Sequence, residues 1–109
     1  MNINVEPRDS ATIIQPQGDV DLASSPVFRA RLQEAQEQAQ ARLVIDLSSV
    51  QYMDSSGVAT LVECLQRSRT DGTPLVLCQL HERVLSVFQI ARLDGVFDIV
   101  ATVDDALTA

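Results

Sequence analysis

Asp54-Ser55-Ser56-Gly57 is the stretch of this chain best suited to chemistry. Two hydroxyls follow a carboxylate at a strand-to-helix junction. Leu43-Val44-Ile45-Asp46-Leu47 reads as a buried strand, and Val58, Leu61, Val62 and Leu65 repeat with the spacing of one helical face. A hydroxyl so placed can cap the helix by accepting a backbone N–H, attack a substrate if a base lies beside it, or receive a phosphoryl group from another enzyme. The cap reading fits Ser55 or Asp54 alike, and Ser56 shares the ambiguity.

The nucleophile reading fares poorly. A serine hydrolase needs Gly-x-Ser-x-Gly on a sharp elbow and a histidine base, but Met53 stands at the first glycine position and the single histidine, His81, reads as a capping or surface residue. A phosphorelay receiver needs a lysine late in the chain to accompany an acceptor such as Asp46, and the sequence contains no lysine. Asp46 is then either an acceptor that fixes a loop or a member of an acidic patch. Neither Gly-x-x-x-x-Gly-Lys nor Gly-x-Gly-x-x-Gly occurs, so no phosphate cradle is visible. Cys64 and Cys78 have no Cys-x-x-Cys spacing and no neighbouring histidine; they read as buried thiols, with no metal and no cofactor expected. The remaining role is that of a substrate. A phosphate on a hydroxyl at a helix start would face the free N–H groups of the first turn.

The elements that position this junction follow from pattern. Asn2 to Glu6 alternates as a strand, Pro7 to Ser10 supplies a turn, and Ala11 to Gln17 pairs back as a hairpin. Pro16 requires that this second strand end there or be unpaired on one side. Ser24-Ser25-Pro26 predicts a hydroxyl-capped helix from Pro26 to Ala39, with Phe28, Leu32, Ala35 and Ala39 inward and Gln33, Glu34, Gln36, Glu37, Gln38 and Gln40 outward. A strand from Arg42 to Leu47, a helix from Ser55 to Thr70 stopped at Gly72, and a strand from Leu75 to Leu80 come next. A helix from Glu82 to Ala91, a stop at Gly95, a strand from Val96 to Val100 and a short helix capped by Thr102 complete the order β-β-α-β-α-β-α-β-α. Strand alternating with helix implies parallel strands joined by right-handed crossovers, hence one α/β domain over residues 1-109 with a mixed sheet and about four helices. In such sheets the loops after the strands gather at one edge, so Asp21, in Gly18-Asp19-Val20-Asp21, and Ser55 are expected to share a rim.

Composition narrows the function class. The chain has 109 residues, 46% hydrophobic and 21% charged, the balance of a globular domain with one core. The net charge of −7, with all eight basic residues being dispersed arginines, argues against direct nucleic-acid binding. Apolar runs are too short for membrane insertion and no signal peptide is visible, so the expected localisation is cytoplasmic.

The segment from Leu43 to Val58 resembles the signature of STAS-domain proteins, specifically the bacterial anti-sigma factor antagonists. The resemblance extends through Gly18-Asp19-Val20-Asp21, Val84-Leu85-Ser86-Val87-Phe88 and Leu93-Asp94-Gly95-Val96-Phe97. It implies a partner-switching regulator that is not itself an enzyme. On that likeness, the unphosphorylated form binds an anti-sigma factor serine kinase and frees the sigma factor. ATP-dependent phosphorylation of Ser55 releases the kinase, and a metal-dependent serine phosphatase restores the switch. Asp21, Asp54, Ser56 and Gly57 would belong to the partner-binding rim. Gly57-Val58-Ala59 departs from the Gly-Leu-Gly of many such antagonists, which keeps a second role in view: a STAS module that is a regulatory or structural subunit of a lipid-transport ABC complex or a stress-signalling complex.

Overall fold

The structure is a computed structural model describing residues 1–39 and 41–109; Gln40, expected on the wet side of the first helix, lies outside the described residues. Its elements are β1 (Asn2–Arg8), β2 (Ala11–Gln17), α1 (Ser25–Gln38), β3 (Arg42–Asp46), α2 (Ser55–Asp71), β4 (Leu75–Cys78), α3 (Glu82–Ile90), β5 (Asp98–Val100) and α4 (Val103–Thr108). This is the expected order. The five strands lie in sequence, β1-β2-β3-β4-β5, with β1 antiparallel to β2 and the others parallel.

Strictly sequential order has a topological consequence. Each right-handed crossover steps in the same direction, so all three crossover helices land on one face of the sheet. Accordingly Ile14, Leu43, Ile45, Leu75 and Leu77 point toward Phe28 and Leu32 of α1, Leu61 and Leu65 of α2, and Val84 and Phe88 of α3. The alternate residues Ala11, Ile13, Val44, Val76 and Cys78 face the other way, onto Ala106, Val103 and Leu107 of α4. The central strands are buried on both faces and therefore read as unbroken apolar runs. Phe88 and Phe97 meet edge to face with centroids 5.4 Å apart.

Both prolines in the hairpin fit its register. The two-residue turn at Asp9 and Ser10, both at positive φ (51° and 69°), makes Arg8 and Ala11 the first hydrogen-bonded pair. Alternation then turns the backbone of Pro7 toward the open edge, where its missing donor costs nothing. Pro16 lies opposite Ile3, with its nitrogen directed to the β3 side, but the β2–β3 pairing has already stopped at Ile14–Ile45. The strand is thus unpaired on one side there.

Several boundaries differ from the expected ones for local reasons. Ser24 precedes α1 without a side-chain capping bond; its hydroxyl instead donates to the Asp19 carbonyl and accepts the Asp21 N–H. The strand expected to reach Leu80 stops at Cys78, because Gln79 takes a left-handed φ of 58° and turns its amide to Asp46. The stop expected at Gly95 comes earlier, at Arg92 (φ 60°), where Leu93 N–H bonds the Phe88 carbonyl across the end of α3. Gly72 (φ 77°) and Thr102, whose hydroxyl accepts from Asp105 N–H, act as expected.

Candidate functional site

The loops leaving β2, β3 and β4 converge at the carboxyl edge of the parallel strands. Val20 N–H donates to the Tyr52 carbonyl at 3.0 Å and Asp54 N–H donates to the Val20 carbonyl at 3.1 Å, forming a parallel bridge between Val20 and Met53. Gly18 N–H donates to the Ser49 carbonyl at 3.0 Å. This stitching, between residues more than thirty apart in sequence, sets Asp21 and Asp54 on adjoining loops. Beneath them Asp46, 7% exposed, is a loop-fixing acceptor and not part of an acidic patch. It takes bonds from Gln15 Nε2 (3.1 Å), the Ser48 N–H (3.0 Å) and Gln79 Nε2 (2.8 Å), one from each of β2 and the loops after β3 and β4.

Asp54 is the residue that caps α2. Its Oδ1 accepts the N–H of Ser56 at 2.9 Å, the N–H of Gly57 at 3.3 Å and the Ser56 hydroxyl at 2.5 Å. The Ser56 hydroxyl bond is the largest influence holding this carboxyl below its ordinary value of 3.8, against a partial desolvation, with the N–H groups of Gly57, Ser56 and Leu22 adding to it. Because the folded value is the lower one, this contribution to stability is fully present above the unfolded value and disappears as pH falls through the folded one. Wild type should therefore lose more stability than Asp54→Asn as pH falls from about 5 through the lowered folded-state value in urea titrations, since asparagine caps nearly as well and does not titrate. Parallel losses in the two chains would contradict this role for the carboxylate.

With Asp54 as the cap, the two serines part company. Ser55 occupies the first helical position, is exposed, and has no side-chain hydrogen bond among the described residues. It lines a shallow apolar groove of about 270 Å³ with Val58 of its own helix and Val87, Ile90 and Ala91 from the end of α3. Ser56, one position on, turns toward α1 and is half-buried; its hydroxyl bonds Asp54 and meets Ser25 Oγ at 3.0 Å. Gly57, expected on the partner-binding rim, is buried instead, pressed against Val20 and Met53. Asp21 is half-buried; its carboxylate accepts the Ser24 N–H, and its carbonyl accepts the Ser25 hydroxyl and N–H.

Sequence pattern did not expose every member of this surface. Ser25 read only as part of a helix start. Leu22, 78% exposed with its N–H directed to Asp54, and Ile90, 84% exposed at the groove, carried no periodic signal that separates them from core residues. His81 bonds the Ser48 carbonyl through Nε2 at 2.7 Å, so its ring supports the loop and does not face Ser55. Among the described residues no cluster of His, Cys, Asp and Glu could hold a metal ion, and no helix is long and apolar enough to cross a membrane.

The STAS domain family model matches residues 2–106, nearly the whole chain. The chain belongs to the STAS family. Within that family it is 38% identical, over 103 residues, to the anti-sigma-B factor antagonist of Bacillus subtilis, covering 93% of this chain and 94% of the relative. An anti-sigma factor antagonist from Mycobacterium paratuberculosis superimposes with a TM-score of 0.85 at 25% identity, covering 98% of this chain and 91% of that one. The Bacillus cell fate determinant SpoIIAA in its phosphorylated form shares the fold at a TM-score of 0.73 and 20% identity, covering 98% and 97%. The STAS fold thus accounts for the sequential sheet and its unequal faces. It also places the Asp-Ser-Ser-Gly segment at the start of α2, where this chain's own hydrogen bonds distinguish the two hydroxyls.

Proposed function

We propose that residues 1-109 form a STAS domain that acts as an anti-sigma factor antagonist by partner switching, with Ser55 as the phosphorylated residue. The observation that carries this reading is the contrast at the start of α2: the exposed Ser55 has no side-chain hydrogen bond among the described residues, whereas Ser56 is tied to Asp54 and Ser25. In the switch, Ser55 Oγ attacks the γ-phosphorus of ATP held by the partner kinase. An O–P bond forms, the bond from that phosphorus to the β,γ-bridging oxygen breaks, and ADP departs. The hydroxyl proton passes to a base of the kinase or to water, so this chain supplies a nucleophile and no catalytic apparatus. A metal-dependent phosphatase returns the hydroxyl by hydrolysis.

The unmodified form docks the kinase through the rim that carries Asp21 and Asp54 and the groove beside Ser55, and the protein works in the cytoplasm without contacting nucleic acid. The identity with the sigma-B antagonist of Bacillus subtilis supports sigma control over service in a transport or stress assembly. Incubation with the host's anti-sigma factor kinase and ATP should place one phosphate on Ser55 by mass spectrometry, and Ser55→Ala should remove it. Phosphate found solely on another residue, or none from a kinase active on a control substrate, would overturn the assignment.

A further inference from the structure

We infer that Ser25 is a specificity-determining residue for the switch: its hydroxyl holds Ser56 away from the kinase, so that of two adjacent serines only Ser55 receives phosphate. The inference rests on the partner-switching reading and adds to it the means by which one hydroxyl is chosen. Ser25 is 3% exposed in the first turn of α1, its Oγ 2.7 Å from the Asp21 carbonyl and 3.0 Å from Ser56 Oγ. Ser56 Oγ in turn lies 2.5 Å from Asp54 Oδ1.

Proton counting defines the state of this row. Two hydroxyl protons serve three contacts. An ionised Asp54 accepts a hydrogen bond from the Ser56 O–H, and the Ser25 O–H is shared between the Asp21 carbonyl and Ser56 Oγ. The Ser56 oxygen is therefore engaged on both sides and turned toward α1. To attack the γ-phosphorus of ATP it must leave the carboxylate and the Ser25 hydroxyl and rotate out of a half-buried site. Ser55 makes the same O–P bond, with the same loss of ADP, without breaking either contact. Thr60 and Arg29 crowd the next turn of this helix pair, where Arg29 ion-pairs with Glu63 at 2.8 Å and Thr60 Oγ1 bonds the Ser56 carbonyl at 2.9 Å.

The test is the ratio of phospho-Ser56 to phospho-Ser55, because a general weakening of the fold or of docking lowers both together. Removing the one hydroxyl bond that Ser25 offers should raise this ratio about tenfold in the Ser25→Ala chain treated with the kinase and ATP. Ser25→Thr, which keeps the hydroxyl, should restore the wild-type ratio. A kinase-free measurement checks the same seat. In a Ser56→Cys chain, alkylation of the new thiol should quicken about tenfold when Ser25→Ala is added. Background is low, since Cys64 and Cys78 are buried, with thiols pushed by burial to about 12. An unchanged ratio and an unchanged alkylation rate would overturn the role of Ser25 while leaving the Ser55 switch standing. Absence of phosphate from both serines in wild type would instead overturn the switch and this inference with it.

Discussion

Ser55→Asp should weaken binding to the anti-sigma factor kinase by about a hundredfold or more, while the free protein stays folded. The expectation comes from comparing two effects of one charge. At the start of α2 an added carboxylate gains roughly 0.3–1 kcal/mol from the helix N-terminus, up to ~2 kcal/mol if partly buried. Asp54 already occupies the best N–H groups there and repels the newcomer, so the net change in the free domain is small. In the proposed complex the same carboxylate would be pressed into a groove walled by Val58, Val87, Ile90 and Ala91, none of them basic. An uncompensated charge in such a contact costs several kcal/mol, and each ~1.4 kcal/mol is tenfold in affinity. Phosphoserine, with about −1.5 to −2 charges, should act more strongly still. Calorimetric titration gives the affinity and circular dichroism the fold. Wild-type affinity from a folded Ser55→Asp chain would mean that the kinase does not cover this groove.

What the sequence discloses of this arrangement depends on how far apart the interacting residues lie along the chain. The helix stop at Gly72 and the cap at Thr102 are legible because each is completed within a few residues. So is the buried sheet, because two-sided burial leaves unbroken apolar runs in β3 and β4. The cap of α1 misleads because the preceding loop competes locally: the Ser24 hydroxyl bonds the Asp19 carbonyl and the Asp21 N–H and does not serve the first turn of the helix. The left-handed turn at Arg92 is invisible because glycine is the residue that usually marks such a stop, and Gly95 stands close enough to attract the assignment. The Ser25–Ser56 contact spans 31 positions and exists only because the Val20–Met53 bridge draws the two helix starts together. No pattern within either segment announces it. The resemblance to STAS antagonists singles out Ser55, whereas the hydrogen bonds supply a physical reason to prefer it over Ser56.

Gly57→Ala should destabilise the domain even though alanine is the better helix former. In the third position of α2, a Cβ at residue 57 would lie 2.7 Å from Met53 Cγ, 2.7 Å from Val20 Cγ1 and 3.2 Å from the Val20 carbonyl oxygen. Met53 can flex, but Val20 is fully buried, branched at Cβ, and held by the two backbone bonds of the bridge. Relief requires either that α2 retreat from the bridge or that the bridge open. Overpacking of this kind costs about 1–3 kcal/mol, and the gain from replacing glycine in a helix returns at most about 1 kcal/mol. The net loss is roughly 1–2 kcal/mol, and Gly57→Val, which adds two more carbons at the same point, should approach or exceed about 3 kcal/mol. Ala59→Gly is the control, being exposed in the same helical turn, where only propensity counts and the cost is about 1 kcal/mol. Urea midpoints at constant m-value measure all three. Because α2 carries Ser55 and the bridge carries Asp54 and Asp21, the Gly57 variants should also lose kinase binding in proportion to the displacement. Asp54, by contrast, can be replaced by asparagine without moving the helix. A neutral or stabilising Gly57→Ala would show that α2 does not rest on Val20 and Met53, and the close approach that sets the whole rim would have to be abandoned.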